Sequence, residues 1–154
     1  MIAFDTNLLL FAFDEDCPWH GPAFAFIDSL RDAGNIIVSE FVLTEFYRLL
    51  RNPAVLAHPL SAPEAVKIVA LYRSHPRWRV VGFPERGSAR VHDSLWRQAG
   101  QPGFAYRRIY DARLALVLQS FGVKEFATTN LKDFQGLGFD RVWNPLADSS
   151  SQPE

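Results

Sequence analysis

The amino-acid sequence predicts an α/β fold: a central parallel β-sheet of about four to five strands flanked by helices, in a three-layer sandwich. Three observations lead there. Short unbroken apolar runs recur along the chain, longer stretches with helical spacing lie between them, and glycine, asparagine or proline marks several of the changeovers. Such short apolar runs suit strands buried on both faces, and strands that alternate with helices build a parallel sheet covered on both sides. A length of 154 residues, with 48% hydrophobic and 14% aromatic content, is enough for one domain with a sizeable core. That domain is expected over residues 1–147, and the polar tail at 148–154 is expected to be disordered.

The elements follow in order. Met1-Ile2-Ala3-Phe4 reads as a buried strand, Asp5 follows it directly, and a helix begins near Asn7. Trp19 to Arg31 has helical spacing, and Gly34-Asn35 hands over to a strand at Ile36-Ile37-Val38. Ser39 can cap a helix reaching Leu50, which Asn52-Pro53 stops. A helix over Pro63 to Ser74 leads to a strand at Arg79-Val80-Val81, and another helix spans Glu85 to Gln98. The helix from Ile109 to Phe121 ends at Gly122, before a strand at Glu125-Phe126-Ala127 and a weaker one at Arg141-Val142-Trp143.

Composition narrows the function classes. Sixteen Lys and Arg nearly balance seventeen Asp and Glu, for a formal net charge of −1, so no global basic field points to a polyanion partner. A nucleic-acid site would have to be a local patch. Cys17 is the only cysteine, which excludes an internal disulfide, and the histidines 20, 58, 75 and 92 share no metal-ligand spacing. The first strand starts at the second residue with no charged leader, which reads as no signal peptide. No apolar stretch reaches the roughly 20 residues of a membrane-spanning helix. These features predict a soluble cytoplasmic protein.

Four carboxylates stand out by position. Asp5 should emerge at the C-terminal end of the first strand, the edge where open α/β sheets bind ligands, although capping the following helix is an equal use for it. Glu45 has Phe41, Val42 and Leu49 at i−4, i−3 and i+4, which places an acid on an apolar helix face. A buried charge is costly unless it is paired or bound to metal, and Arg48 at i+3 is the alternative partner. Asp111 opens a helix whose apolar stripe runs through Leu114, Ala115 and Leu118, where an N-cap would also stand. Asp133 follows the strand ending near Ala127, in a stretch where a plain turn would use Asn and Asp too.

Convergence of the four explains them together. Carboxylates brought side by side raise one another's pKa unless cations neutralise them, and all-oxygen ligation indicates a hard ion such as Mg²⁺ or Mn²⁺. Such an ion can activate water toward a phosphodiester, and a second ion ~3.5–4 Å away would complete a two-metal arrangement. The chain holds no Gly-x-Ser-x-Gly elbow, no phosphate-binding Gly-x-x-x-x-Gly-Lys loop and no His-Glu-x-x-His motif.

Asp5-Thr6-Asn7, Thr44-Glu45-Phe46, Asp111-Ala112-Arg113-Leu114-Ala115 and Thr128-Thr129-Asn130-Leu131-Lys132-Asp133-Phe134 occur in this order from Met1 to about Pro145. In this order and spacing the chain resembles the PIN-domain family, and more closely its VapC-type toxins of bacterial toxin–antitoxin pairs. The resemblance implies a Rossmann-like sandwich with Asp5, Glu45, Asp111 and Asp133 as a catalytic, metal-holding quartet for Mg²⁺ or Mn²⁺. It implies a supporting polar shell of Thr6, Asn7, Thr128 and Asn130. It also implies endonucleolytic cleavage of RNA, a homodimer, and a cognate antitoxin whose C-terminal segment lies in the active-site groove. Asn130 and Asp133 both fall where the family places its last acid, and only Asp133 is charged, so the fourth carboxylate is assigned there.

Arginines flank the acids in sequence. Arg48 and Arg51 follow Glu45, while Arg107, Arg108 and Arg113 surround Asp111, so guanidinium groups could hold RNA phosphates. Phe104 and Tyr106 could stack on unpaired bases, and ordinary solvated surface is the plainer reading of both sets. Two other functions use similar parts. A haloacid-dehalogenase-like phosphatase would use Asp5 as nucleophile but needs a second Asp where Asn7 stands, and an inactive RNA- or protein-binding module would not need four mutually repelling acids.

Overall fold

The computed structural model describes residues 1–147, and the expected disorder at 148–154 lies outside the described residues. The strands are β1 (Ile2–Phe4), β2 (Ile37–Ser39), β3 (Arg79–Val81), β4 (Glu125–Ala127) and β5 (Arg141–Trp143). The helices are α1 (Thr6–Phe13), α2 (His20–Ser29), α3 (Glu40–Leu50), α4 (Ala62–Arg73), α5 (Ser88–Ala99), α6 (Ile109–Ser120) and the single turn α7 (Leu131–Phe134). None of them is long and apolar enough to cross a membrane.

Every strand pairing is parallel. β1 pairs with β4 and β4 with β5, β2 pairs with β3, and one bridge from Ile2 to Ile36 joins the two groups. The spatial order is therefore β3-β2-β1-β4-β5. The chain winds outward from β1 to β3, then returns across the sheet to β4. The order reverses between β1 and β4, and a parallel sheet opens a crevice for ligands beyond the carboxyl ends of its strands at such a reversal.

Adjacent residues of a strand point to opposite faces, so burial of both shows that both faces are covered. Ala3 with Phe4, Phe126 with Ala127, and Ile37 with Val38 are all fully buried. α1 packs against α2 and α3, α3 against α4, and α5 against α6. In α3 the buried stripe is Val42, Leu43, Phe46 and Leu50, close to the spacing expected of a core-facing helix. Phe126 stacks on Phe139 and tilts against Phe134, whose centroids lie 5.1 and 4.5 Å away, and this holds α7 over the end of β4.

Helix ends follow local chemistry. Ser39 caps α3, its hydroxyl accepting from the Phe41 N–H at 3.1 Å, as expected. Gly122, at φ +81°, ends α6 in the left-handed conformation that favours glycine. Gly34 takes no such conformation, because α2 stops at Ser29 and turns at Arg31 and Ala33 carry the chain onward. α5 starts at Ser88 instead of Glu85, since Gly87 at φ +92° stands at its N-cap. α7 and a 3₁₀ turn at Tyr106–Arg108 were not expected from the sequence.

Candidate active site

The ladder hydrogen bonds run one residue past the central strands. The Asp5 N–H donates to the Ala127 carbonyl and the Thr128 N–H to the Trp143 carbonyl, each at 2.9 Å, so Asp5 and Thr128 leave the sheet side by side. The Thr128 hydroxyl then donates to Asp5 Oδ2 at 2.7 Å. Asp5 Oδ1 accepts from the Thr6 N–H at 2.8 Å, which also makes Asp5 the N-cap of α1. Capping and placement at the switch point are thus one arrangement.

The polar shell links the remaining acids. The Thr6 hydroxyl donates to Glu45 Oε2 at 3.0 Å. Thr128 accepts from the Asn130 N–H at 2.9 Å, and the Asn7 amide donates to Thr129 at 2.8 Å. Asn130 in turn donates its side-chain amide to Asp133 Oδ2. Asn7 Oδ1 is buried with no hydrogen-bond partner among the described residues.

One expectation about the acids changes, and one alternative falls. Glu45 does not lie within the core stripe: its side chain is 51% exposed and pairs with Arg48 at 3.4 Å. Its flanking Phe41 and Leu49 are only partly buried, so it stands on the rim of the apolar face. Asp111 sits in the first turn of α6, as expected, and the alternative that it caps the helix falls because Arg108 holds the N-cap position. A carboxylate there still meets the positive end of the helix dipole.

A cavity of about 590 Å³ opens over these residues, lined among others by Asp5, Glu45, Asp111, Arg48, Arg107 and Arg113. Asp133 is absent from its lining but close enough to perturb both Asp5 and Asp111. Burial pushes the Asp5 carboxyl from 3.8 up to about 6; Thr128 and Thr6 oppose the rise, while Glu45 and Asp133 add to it. Burial also lifts Asp111 from 3.8 to about 6, with Asp133, Asp5 and Glu45 reinforcing it and Arg108 opposing.

The donor chemistry fits a hard divalent cation. All donors are oxygen, and the neighbouring carboxylates add to the rise that burial causes in the Asp5 and Asp111 pKa, a rise that a bound cation would offset. Among the described residues no group of three or more His, Cys, Asp or Glu side chains is placed to hold a metal ion together. Mg²⁺ does not require one, since it keeps several waters and takes only one or two carboxylates.

The arginines divide. Arg48, Arg107 and Arg113 line the cavity; Arg51 and Arg108 do not. Arg51 is held by the Tyr47 hydroxyl at 2.9 Å and lies over that ring. Arg108 donates to the carbonyls of Asp133 and Gln135, each at 3.1 Å, and so fastens the start of α6 to α7. Phe104 and Tyr106 also stand outside the lining, where Phe41, Tyr47 and Tyr110 take their place. Phe41, Glu45 and Arg48 recur at i, i+4 and i+7, a spacing that could have revealed the cavity face of α3.

A parallel sheet in this order, with carboxylates at its switch point, defines an α/β protein of the PIN-domain class. Ribonuclease VapC24 of Mycobacterium tuberculosis, in each of two strains, is 43% identical over 146 residues, covering 95% of this chain and 97% of its own. The chain belongs to the VapC ribonuclease family. No protein-family model matches it. Among solved structures, the sarcin-ricin-loop-cleaving toxin VapC20 of Mycobacterium tuberculosis aligns with a TM-score of 0.61 at 20% identity, covering 82% of this chain and 87% of that one. FitAcB of Neisseria gonorrhoeae aligns at 0.63 and 22% identity, covering 96% and 99%, and FitAB bound to a DNA fragment at 0.62 and 20%, covering 95% and 96%.

Proposed function

We propose that this protein is a Mg²⁺- or Mn²⁺-dependent endoribonuclease, the toxin of a toxin–antitoxin pair, formed by a single nuclease domain. Membership of the VapC ribonuclease family supports RNA as substrate and a cognate antitoxin as partner. A homodimer belongs to the same reading. The observation that carries metal dependence is the pairing of Asp5 and Asp111 in one cavity, both with carboxyl pKa pushed to about 6. Burial causes most of that rise and the neighbouring carboxylates add to it, and a bound cation would offset both.

Asp5, Glu45, Asp111 and Asp133 would hold the ion, and the ion when bound supplies an activated water and charge stabilisation at the phosphodiester. The other groups position the acids. Thr128 and the Thr6 N–H fix the two Asp5 oxygens, the Thr6 hydroxyl steers Glu45, and Asn130 steers Asp133. Arg108 fastens the backbone of α7 and lowers the charge deficit at Asp111. Arg48 and Arg107 add positive charge at the rim for RNA phosphates. The phosphatase alternative gains no support at position 7, where the Asn7 amide is committed to Thr129.

The test is cleavage of structured RNA by purified protein freed of antitoxin. Cutting is expected in Mg²⁺ or Mn²⁺, with loss in EDTA and in Asp111→Asn. Cutting that survives both EDTA and Asp111→Asn overturns the reading.

A further inference from the structure

Among the described residues, Arg113 is the one arginine of the cavity lining that no oxygen holds. Arg48 is paired with Glu45 and Arg107 with the Tyr106 hydroxyl, at 3.4 and 3.1 Å. Arg113 makes no hydrogen bond and no ion pair among the described residues, and its Nε is buried without a partner. Its guanidinium is held instead by aromatic faces, 4.6 Å from the Phe41 centroid and 5.3 Å from that of Tyr110.

Helix geometry explains the separation. On α6, Tyr110 and Arg113 are i and i+3 neighbours and share a face, whereas Asp111 is two residues from Arg113 and faces elsewhere. Phe41 reaches the same guanidinium from α3.

A cation beside several carboxylates ordinarily pairs with one of them, and a buried donor without a partner costs free energy. Both features make sense for a group kept free for an anion that arrives from outside. Stacking restricts the long side chain in advance, so less entropy is lost on binding. The planar fork matches two oxygens of a phosphate.

We infer that Arg113, presented by Phe41 and Tyr110, grips a backbone phosphate of the RNA next to the acidic group and thereby sets substrate affinity. The inference rests on the ribonuclease reading. It assigns the five arginines different tasks: Arg113 binds phosphate, Arg48 and Arg107 contribute rim charge, and Arg51 and Arg108 serve the protein's own structure.

The experiment compares wild type, Arg113→Gln and Arg113→Lys in steady-state cleavage of one structured RNA across a series of salt concentrations. Arg113→Gln is expected to raise KM about tenfold or more, with a smaller change in kcat. Loss of one phosphate contact should flatten the slope of log(kcat/KM) against log salt by about 0.7–0.9. Arg113→Lys keeps the charge, so its slope should match wild type while KM lies between the two. Should Arg113→Gln fail to fold, a raised KM with unchanged slope in Arg113→Lys carries the test. Variants equal to wild type in KM and slope, or a fall in kcat alone, overturn the inference. A wild type that cuts no RNA overturns the ribonuclease reading and this inference with it.

Discussion

The Thr128 hydroxyl donates to Asp5 Oδ2 at 2.7 Å across the β1–β4 seam, the point where the strand order of the sheet reverses. Thr128 is fully buried, and its oxygen also accepts the Asn130 N–H, so one side chain ties the first acid to the loop that carries the last. Replacing it with the near-isosteric valine leaves Asp5 and the Asn130 N–H short of a partner. The expected cost is about 1–3 kcal/mol of stability, since buried groups would be left unsatisfied. A supporting group of this kind also changes metal affinity or activity by roughly 10–100-fold. Denaturant unfolding and cleavage rates of Thr128→Val check both, and a variant matching wild type in each shows the bond to be idle.

The metal-free protein should lose stability as pH rises. Asp5 and Asp111 have folded pKa values near 6, against 3.8 for the ordinary carboxyl, so between those values the folded state keeps protons that the unfolded state releases. The stabilisation is whole below pH 3.8 and is lost by about pH 6. Melting curves in EDTA from pH 4.5 to 7.5 should show wild type declining more steeply than the double variant Asp5→Asn, Asp111→Asn. Parallel declines contradict the charge deficit.

Much of the fold was legible because strand burial leaves a plain mark. Ile36 to Val38 is an unbroken apolar run preceded by turn residues, Phe126-Ala127 is a shorter one, and Ser39 is a side chain that caps well. The single turn α7 was hidden because four residues carry no helical period; Phe134 packing on Phe126 holds it in place. The candidate acids were visible as residues at strand ends and first turns. Exposure of Glu45 was not, because a helical wheel names neighbours without saying how deeply Phe41 and Leu49 are themselves buried. The division among the arginines depends on contacts between α3 and α6 and between α6 and α7, which no local spacing encodes.

Arg108 should matter through the backbone it holds. Arg108→Gln gives up charge-assisted bonds to the Asp133 and Gln135 carbonyls, which contribute roughly 1.5–3 kcal/mol where well formed, and less at this partly exposed position. It also removes the cation that opposes the raised Asp111 pKa. A lower melting midpoint with faster amide exchange at Leu131 to Gln135 is expected. Unchanged exchange there shows that α7 is held by Phe134 alone.

Divalent metal should reverse the destabilisation at neutral pH. Added Mn²⁺ is expected to raise the melting midpoint at pH 7.5 and to lose that effect as pH falls below about 6, where protons compete for Asp5 and Asp111. A shift that is equal at pH 5 and pH 7.5 argues for metal bound elsewhere.

The claim that these carboxylates gather to hold a divalent ion is tested most directly by calorimetric titration of Mn²⁺ into wild type, Asp5→Asn and Asp111→Asn at pH 7.5. The account predicts saturable binding by wild type and at least about tenfold weaker binding by each variant, as expected when a ligand is removed from an oxygen site. Identical binding curves for all three proteins would contradict it.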